Sequence, residues 1–195
     1  AAQFPTGTLN FLENETSKTI MINTNGDTTV EPTETFTVTL SNAVGASSIS
    51  PTTAIGTIIA DDSSFSIAPL AAIKAEGNSG TVPFTFTVTR NGSTLGAGSV
   101  NFAVTGSGGE PADVTDFGIV LPSGLVRFAK GESAKTVTIN VKGDTTFEPD
   151  KGFTVTLSNP VGGTLGTATA SATILSDEAR LNVEVSNDAN KVEGT

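Results

Sequence analysis

Gly143-Asp144-Thr145-Thr146-Phe147-Glu148-Pro149, with Phe153-Thr154-Val155-Thr156-Leu157-Ser158-Asn159 just beyond it, decides how this chain is read, because almost the same words stand earlier as Gly26-Asp27-Thr28-Thr29-Val30-Glu31-Pro32 and Phe36-Thr37-Val38-Thr39-Leu40-Ser41-Asn42. Asp144 follows Asp27 by 117 residues, a spacing of domain size, so the sequence carries an internal repeat. Each copy joins an acidic loop, with an Asp and a Glu four positions apart, to a segment alternating Phe, Val and Leu with Thr and Ser.

That alternation is the period of a half-buried strand, and it recurs along the chain without helical periodicity. Before residue 62 it predicts strands at Thr8–Phe11, Thr19–Asn23, Phe36–Leu40 and Ala54–Ala60. Phe65–Ala75, Thr81–Arg90 and Ser99–Thr105 are then new elements, and Gly124–Phe128, Lys135–Lys142, Gly152–Ser158 and Thr167–Ser176 repeat the first four. Asn91-Gly92 reads as a tight turn. Seven short strands, each with one apolar face, predict an all-β fold, an immunoglobulin-like antiparallel seven-stranded β-sandwich in tandem repeats. Every aromatic residue is Phe, so Phe must carry much of the core.

The expected organisation is the C-terminal half of a first repeat over 1–62, a complete repeat over 63–178, and the start of a third over 179–195, where Arg180–Val185 parallels Phe65–Leu70 and Glu193-Gly194 parallels Glu76-Gly77. A half-sandwich cannot cover its own apolar face, so residues 1–60 are expected to need strands from elsewhere, and the chain reads as a piece of a longer array.

Composition excludes several chemistries. With no Cys and no His there are no thiolate or imidazole metal sites, no disulfides, and no Cys- or His-based catalysis, so any metal must be held by oxygen. Twenty acidic against ten basic residues, a net charge of −10, argue against nucleic acid and anionic membrane as partners and for cations as ligands. No apolar run approaches the roughly 20 residues of a membrane span, and no targeting signal is read in the first 17 residues.

The positions of the acids sharpen this. In the complete repeat none falls between Gly77 and Gly109 or between Lys151 and Ser176. They bunch at Glu76, at Glu110, Asp113 and Asp116, at Asp144, Glu148 and Asp150, and at Asp177 and Glu178. Up-and-down strand order sends these loops to one pole, while the other pole carries only Glu132, between Lys130 and Lys135. Such a crowd of carboxylates repels itself unless hard cations, calcium above all, bind within it. Single residues keep simpler readings: Glu110, Asp113 and Asp144 also suit turns, and Asp150 also suits solvent.

At these residues the sequence resembles the Calx-beta domain family. The matches are Glu76-Gly77, Asp116-Phe117, Gly124 to Phe128, Gly131-Glu132, the Asp…Glu…Phe-x-Val-x-Leu-Ser-Asn run and the closing acidic pair. The resemblance implies calcium ligation by Glu76, Asp116, Asp144, Glu148, Asp177 and Glu178, and in the first copy by Asp27, Glu31, Glu34, Asp61 and Asp62. It departs at one position: the acid that usually follows the loop Glu by three residues is Glu34 in the first copy but Lys151 in the complete repeat. Together with a single loop Asp between Gly143 and Thr145, this implies few ions, as few as one. Either the Lys151 ammonium neutralises carboxylates as a second ion otherwise would, or it projects into solvent.

The resulting expectation is a non-catalytic, calcium-binding tandem repeat of a large extracellular or cell-surface protein, bacterial by resemblance, serving adhesion, a matrix or a filament. Calcium at the domain junctions would rigidify the array, and the partners would be neighbouring repeats or identical chains, with no membrane insertion. The rival readings are accessory domains of a secreted hydrolase, whose carboxylate pairs a glycosidase would use, and a carbohydrate-binding module. Both lack a Trp or Tyr sugar platform here.

Overall fold

A computed structural model describes residues 4–46, 48–179 and 181. They fall into two compact units, one of residues up to Thr29 with Thr33–Ile59, the other of Val30–Pro32 with the residues from Ala60 onward. The expected start of a third repeat, 179–195, lies outside the described residues apart from Ala179 and Leu181. All regular structure among the described residues is β, and no helix is long and apolar enough to cross a membrane.

In the first unit β1 (Glu34–Thr39) pairs antiparallel with β2 (Thr53–Ile58). The strands expected at Thr8–Phe11 and Thr19–Asn23 do not form. Their patterns are sound, since they copy Leu125–Phe128 and Thr136–Asn140, which are strands in the second unit. A strand, however, needs a neighbour for its main-chain hydrogen bonds, and no described strand pairs with these segments. Local loop structure is reproduced regardless. Glu15 accepts the Leu12 N–H and pairs with Lys18, as Glu132 accepts the Ala129 N–H and pairs with Lys135.

The second unit is a two-sheet sandwich. One sheet has the order β10 (Thr164–Leu165), β3 (Ser63–Ala71), β5 (Thr81–Gly92), β8 (Ala134–Lys142). The other has β4 (Ile73–Ala75), β11 (Thr169–Leu175), β9 (Lys151–Val161), β6 (Gly98–Ser107), β7 (Ser123–Phe128). The alternation works as read: Phe84, Phe86 and Val88 of β5 and Phe153, Val155 and Leu157 of β9 face each other from the two sheets, all buried. Each such side chain contributes about 2 kcal/mol of transfer free energy. Phe153 is the hub, with the rings of Phe84, Phe86 and Phe117 edge-on to it.

Two elements differ from the sequence reading. The first strand is not continuous: a register shift between Pro69 and Ala71 and the buried Ala72 carry the chain from β3, antiparallel to β5, across to β4, parallel to β11. Pro69 has no N–H to give a ladder, which favours a break there. Asn91-Gly92 is not a turn but the end of β5, paired with Ser64 and Ser63. Gly92 has φ 89°, and a Cβ there would sit 2.5 Å from the Asp62 carbonyl oxygen, so only glycine fits.

A candidate metal centre at one pole of the sandwich

The ends of β4, β6, β8 and β11 and the start of β9 meet at one pole of the second unit. The loops there are tied by main-chain bonds: Gly152 N–H to Glu110 O, Ala112 N–H to Gly152 O, Lys142 N–H to Asp116 O, and Gly143 N–H to Gly80 O. Gly143 has to be glycine, since a Cβ would overlap the carbonyl oxygens of Gly77 and Glu76. The β8–β9 loop is thereby pressed against the residue that proves central.

That residue is Glu76, only 3% exposed. Its carboxylate belongs to two groups of three acids whose ligand atoms lie within 4.8 Å of one another and can hold a metal ion: Glu76 with Asp116 and Glu148, and Glu76 with Asp177 and Glu178. Burial first, then the charges of Glu148, Asp144, Glu178 and Asp116, push the Glu76 carboxyl up to about 7.

The two groups are differently furnished. Asp116 is buried, set in place by Phe117, which packs on the core beneath it. Asp116 Oδ2 accepts the Asp113 N–H at 2.7 Å, and Asp116 Oδ1 accepts Lys151 Nζ at 2.8 Å. The same ammonium donates to Glu148 Oε2 at 2.5 Å. Burial alone would lower the Lys151 pKa, but its hydrogen bonds to Asp116 and Glu148 and their charges outweigh that and hold it above the ordinary lysine value. Lys151 therefore does not project into solvent.

On the other side, both carboxylate oxygens of Glu178 are buried with no hydrogen-bond partner among the described residues, as is Ser176 Oγ. A buried carboxylate without a donor is costly. The donor set is all oxygen and anionic, so this side fits a hard cation, which would satisfy the uncommitted oxygens.

The remaining acids have smaller parts. Asp144 accepts the Thr146 N–H at 2.8 Å, the chief cause of its lowered pKa, and stands outside both three-acid groups while adding charge at Glu76. Asp113 closes its own turn through the Thr115 N–H and hydroxyl, with its pKa lowered by them. Asp150 accepts the Ser176 N–H, tying β9 to β11. In the first copy Asp27 repeats the Asp144 turn with the Thr29 N–H. Asp27, Glu31, Glu34, Asp61 and Asp62 join no such group among the described residues. Two features escape sequence reasoning: the Asp150 tie, and the buried Ser176 hydroxyl, since a serine at a strand end carries no signal beyond polarity.

The Calx-beta domain family matches residues 4–63 and 72–186. The adhesion G-protein coupled receptor V1 of Danio rerio is 32% identical over 163 residues, covering 79% of this chain and 2% of the receptor's length. The crystal structure of the apo-form Calx CBD1 domain is 26% identical, with a TM-score of 0.48 over 60% of this chain and 98% of that one. The calcium binding domain CBD12 of CALX1.1 is 27% identical, with a TM-score of 0.49 over 57% and 45%.

Proposed function

Because this chain belongs to the Calx-beta family, we propose that it is a calcium-binding module, a non-catalytic repeat of a large extracellular surface protein, whose calcium sits at the acidic pole. The observation that carries this reading is Glu178, whose two buried, unpartnered oxygens belong with Glu76 and Asp177 to one close set of carboxylates. A bound cation answers both the missing hydrogen bonds and the accumulated charge.

The ligand residues are then Glu76, Asp177 and Glu178, with Asp144 contributing field. Calcium suits such a set because it accepts irregular, carboxylate-rich oxygen shells. Because β11 leads straight into Asp177 and Glu178, calcium bound there grips the chain as it leaves the sandwich and stiffens the junction with whatever follows. Repeated along a chain, such junctions make a rigid rod for adhesion, a matrix or a filament, with neighbouring repeats or identical chains as partners. An extracellular or cell-surface setting, where millimolar calcium keeps such sites filled, is consistent with likeness to an adhesion receptor.

Thermal melting in chelator and in millimolar calcium tests the reading. An ion bound only by the folded pole stabilises by RT ln(1 + [L]/Kd), about 2.7 kcal/mol at a hundredfold excess over Kd. An unchanged melting temperature would overturn it.

A further inference from the structure

The acidic pole is divided. Both oxygens of Asp116 are committed, one to the Asp113 N–H and one to Lys151, and Glu148 is committed to the same ammonium. The side chain of Lys151 is only 14% exposed and lies between carboxylates contributed by two different loops, 35 residues apart in the case of Asp116. Across Glu76, which both sides share, the Glu178 oxygens have no donor among the described residues. One half of the pole thus contains its own cation, and among the described residues none is bonded to the Glu178 oxygens of the other half.

We propose that the Lys151 ammonium is a tethered counter-ion that stands in for a second divalent cation between Asp116 and Glu148, so that the complete repeat takes up calcium only on the Glu76, Asp177 and Glu178 side. This rests on the calcium reading above and adds how occupancy is set. A divalent ion entering between Asp116 and Glu148 would have to expel an ammonium that is hydrogen-bonded to both and cannot diffuse away. The same ammonium holds the β8–β9 loop against the Asp116 loop when calcium is absent, so half of the pole is ordered at any calcium concentration. Glu34, at the corresponding position of the first copy, supplies a charge of the opposite sign. The two copies in one chain therefore differ in the charge they carry at this position.

The test uses the whole chain, calorimetric titration with calcium chloride, and melting in chelator. Lys151→Glu should bind one more calcium per chain than wild type. Lys151→Met, which keeps the length and loses the charge, should melt roughly 5–10 °C lower in chelator, because it leaves carboxylates unpaired, and should gain more from calcium than wild type does. If Lys151→Glu does not fold without calcium, Lys151→Met decides. Glu178→Gln should melt in chelator no lower than wild type and lose the calcium-induced shift of the complete repeat. The two failures are distinguishable. A wild-type chain insensitive to calcium overturns the calcium reading. A calcium-binding wild type matched by Lys151→Glu in stoichiometry and by Lys151→Met in chelator overturns the role of Lys151.

Discussion

The ring of Phe117 meets that of Phe153 edge-on, with centroids 5.3 Å apart and planes at 88°. Phe153 is fully buried at the centre of the core, and Phe117 follows Asp116 directly, so this contact joins packing to the metal centre. Phe117→Ala should cost about 2 kcal/mol, less than a fully buried Phe because the ring is only partly buried. Denaturant unfolding should show the loss, and calcium affinity should fall with it because Asp116 and its ties to Asp113 and Lys151 lose their anchor. A stable variant with unchanged affinity would show that Phe117 is not what places Asp116.

Glu76 sets the pH dependence of the calcium-free protein. Its carboxyl titrates near 7 in the folded state against 4.5 as its ordinary value. Between those values the folded state holds a proton that the unfolded chain has released, so this group's contribution to stability is full below about pH 4.5 and is lost as pH rises through 7. The shift corresponds to about 3 kcal/mol from this group. Urea unfolding in chelator at pH 5 and pH 8 should show the fall, and Glu76→Gln should flatten it. A calcium-free chain equally stable at both values would contradict the assignment.

Gly143 and Gly26 occupy the same place in the two copies, yet only one is confined. Gly143 abuts the carbonyl oxygens of Gly77 and Glu76, whereas a Cβ on Gly26 would meet nothing within 4 Å. Gly143→Ala should therefore destabilise the second unit by about 2 kcal/mol and weaken calcium binding by displacing Glu76. Gly26→Ala should leave the same transition unmoved. Equal melting temperatures for the two variants would show that the close approach is dispensable.

Phe36 and Phe153 make a similar pair: Phe153 is buried, while no described residue of the first unit up to Ile59 is fully buried. Phe153→Ser should abolish cooperative unfolding of the second unit, and Phe36→Ser should leave it intact. Amide exchange should be slow in β9 and fast in β1, since an isolated hairpin is at best marginal in water. Comparable protection in both strands would mean that the first unit acquires a cover in solution.

These pairs show what sequence can and cannot carry. Turns written in a few residues, such as Asp27 with Thr29 and Asp144 with Thr146, form alike in both copies because their partners are adjacent in sequence. Strands written as clearly, Thr8–Phe11 and Thr19–Asn23, do not form, because alternation specifies a face but not a neighbour. The bunching of acids pointed to the pole directly, since loop order alone brings Glu76, Asp116, Glu148, Asp177 and Glu178 together. The choice between two readings of Lys151 was not legible, because its partner Asp116 is 35 residues distant and reached only after two sheets are assembled. The same holds for the break at Ala72, which the hydrophobic pattern of Phe65–Ala75 runs straight through.

That break has a mechanical consequence. It places β4 beside β11, parallel, with Ile73, Lys74 and Ala75 opposite Thr173, Ile174 and Leu175. Tension applied to a repeat through Ser63 and Leu175 pulls its opening segment and its closing strand in opposite directions along their shared ladder. The hydrogen bonds of β4 and β11 are then loaded in shear and must yield together, rather than being peeled open one by one as in a hairpin pulled from its ends. A domain threaded in this way resists being drawn out along the very axis on which a string of such domains would carry force.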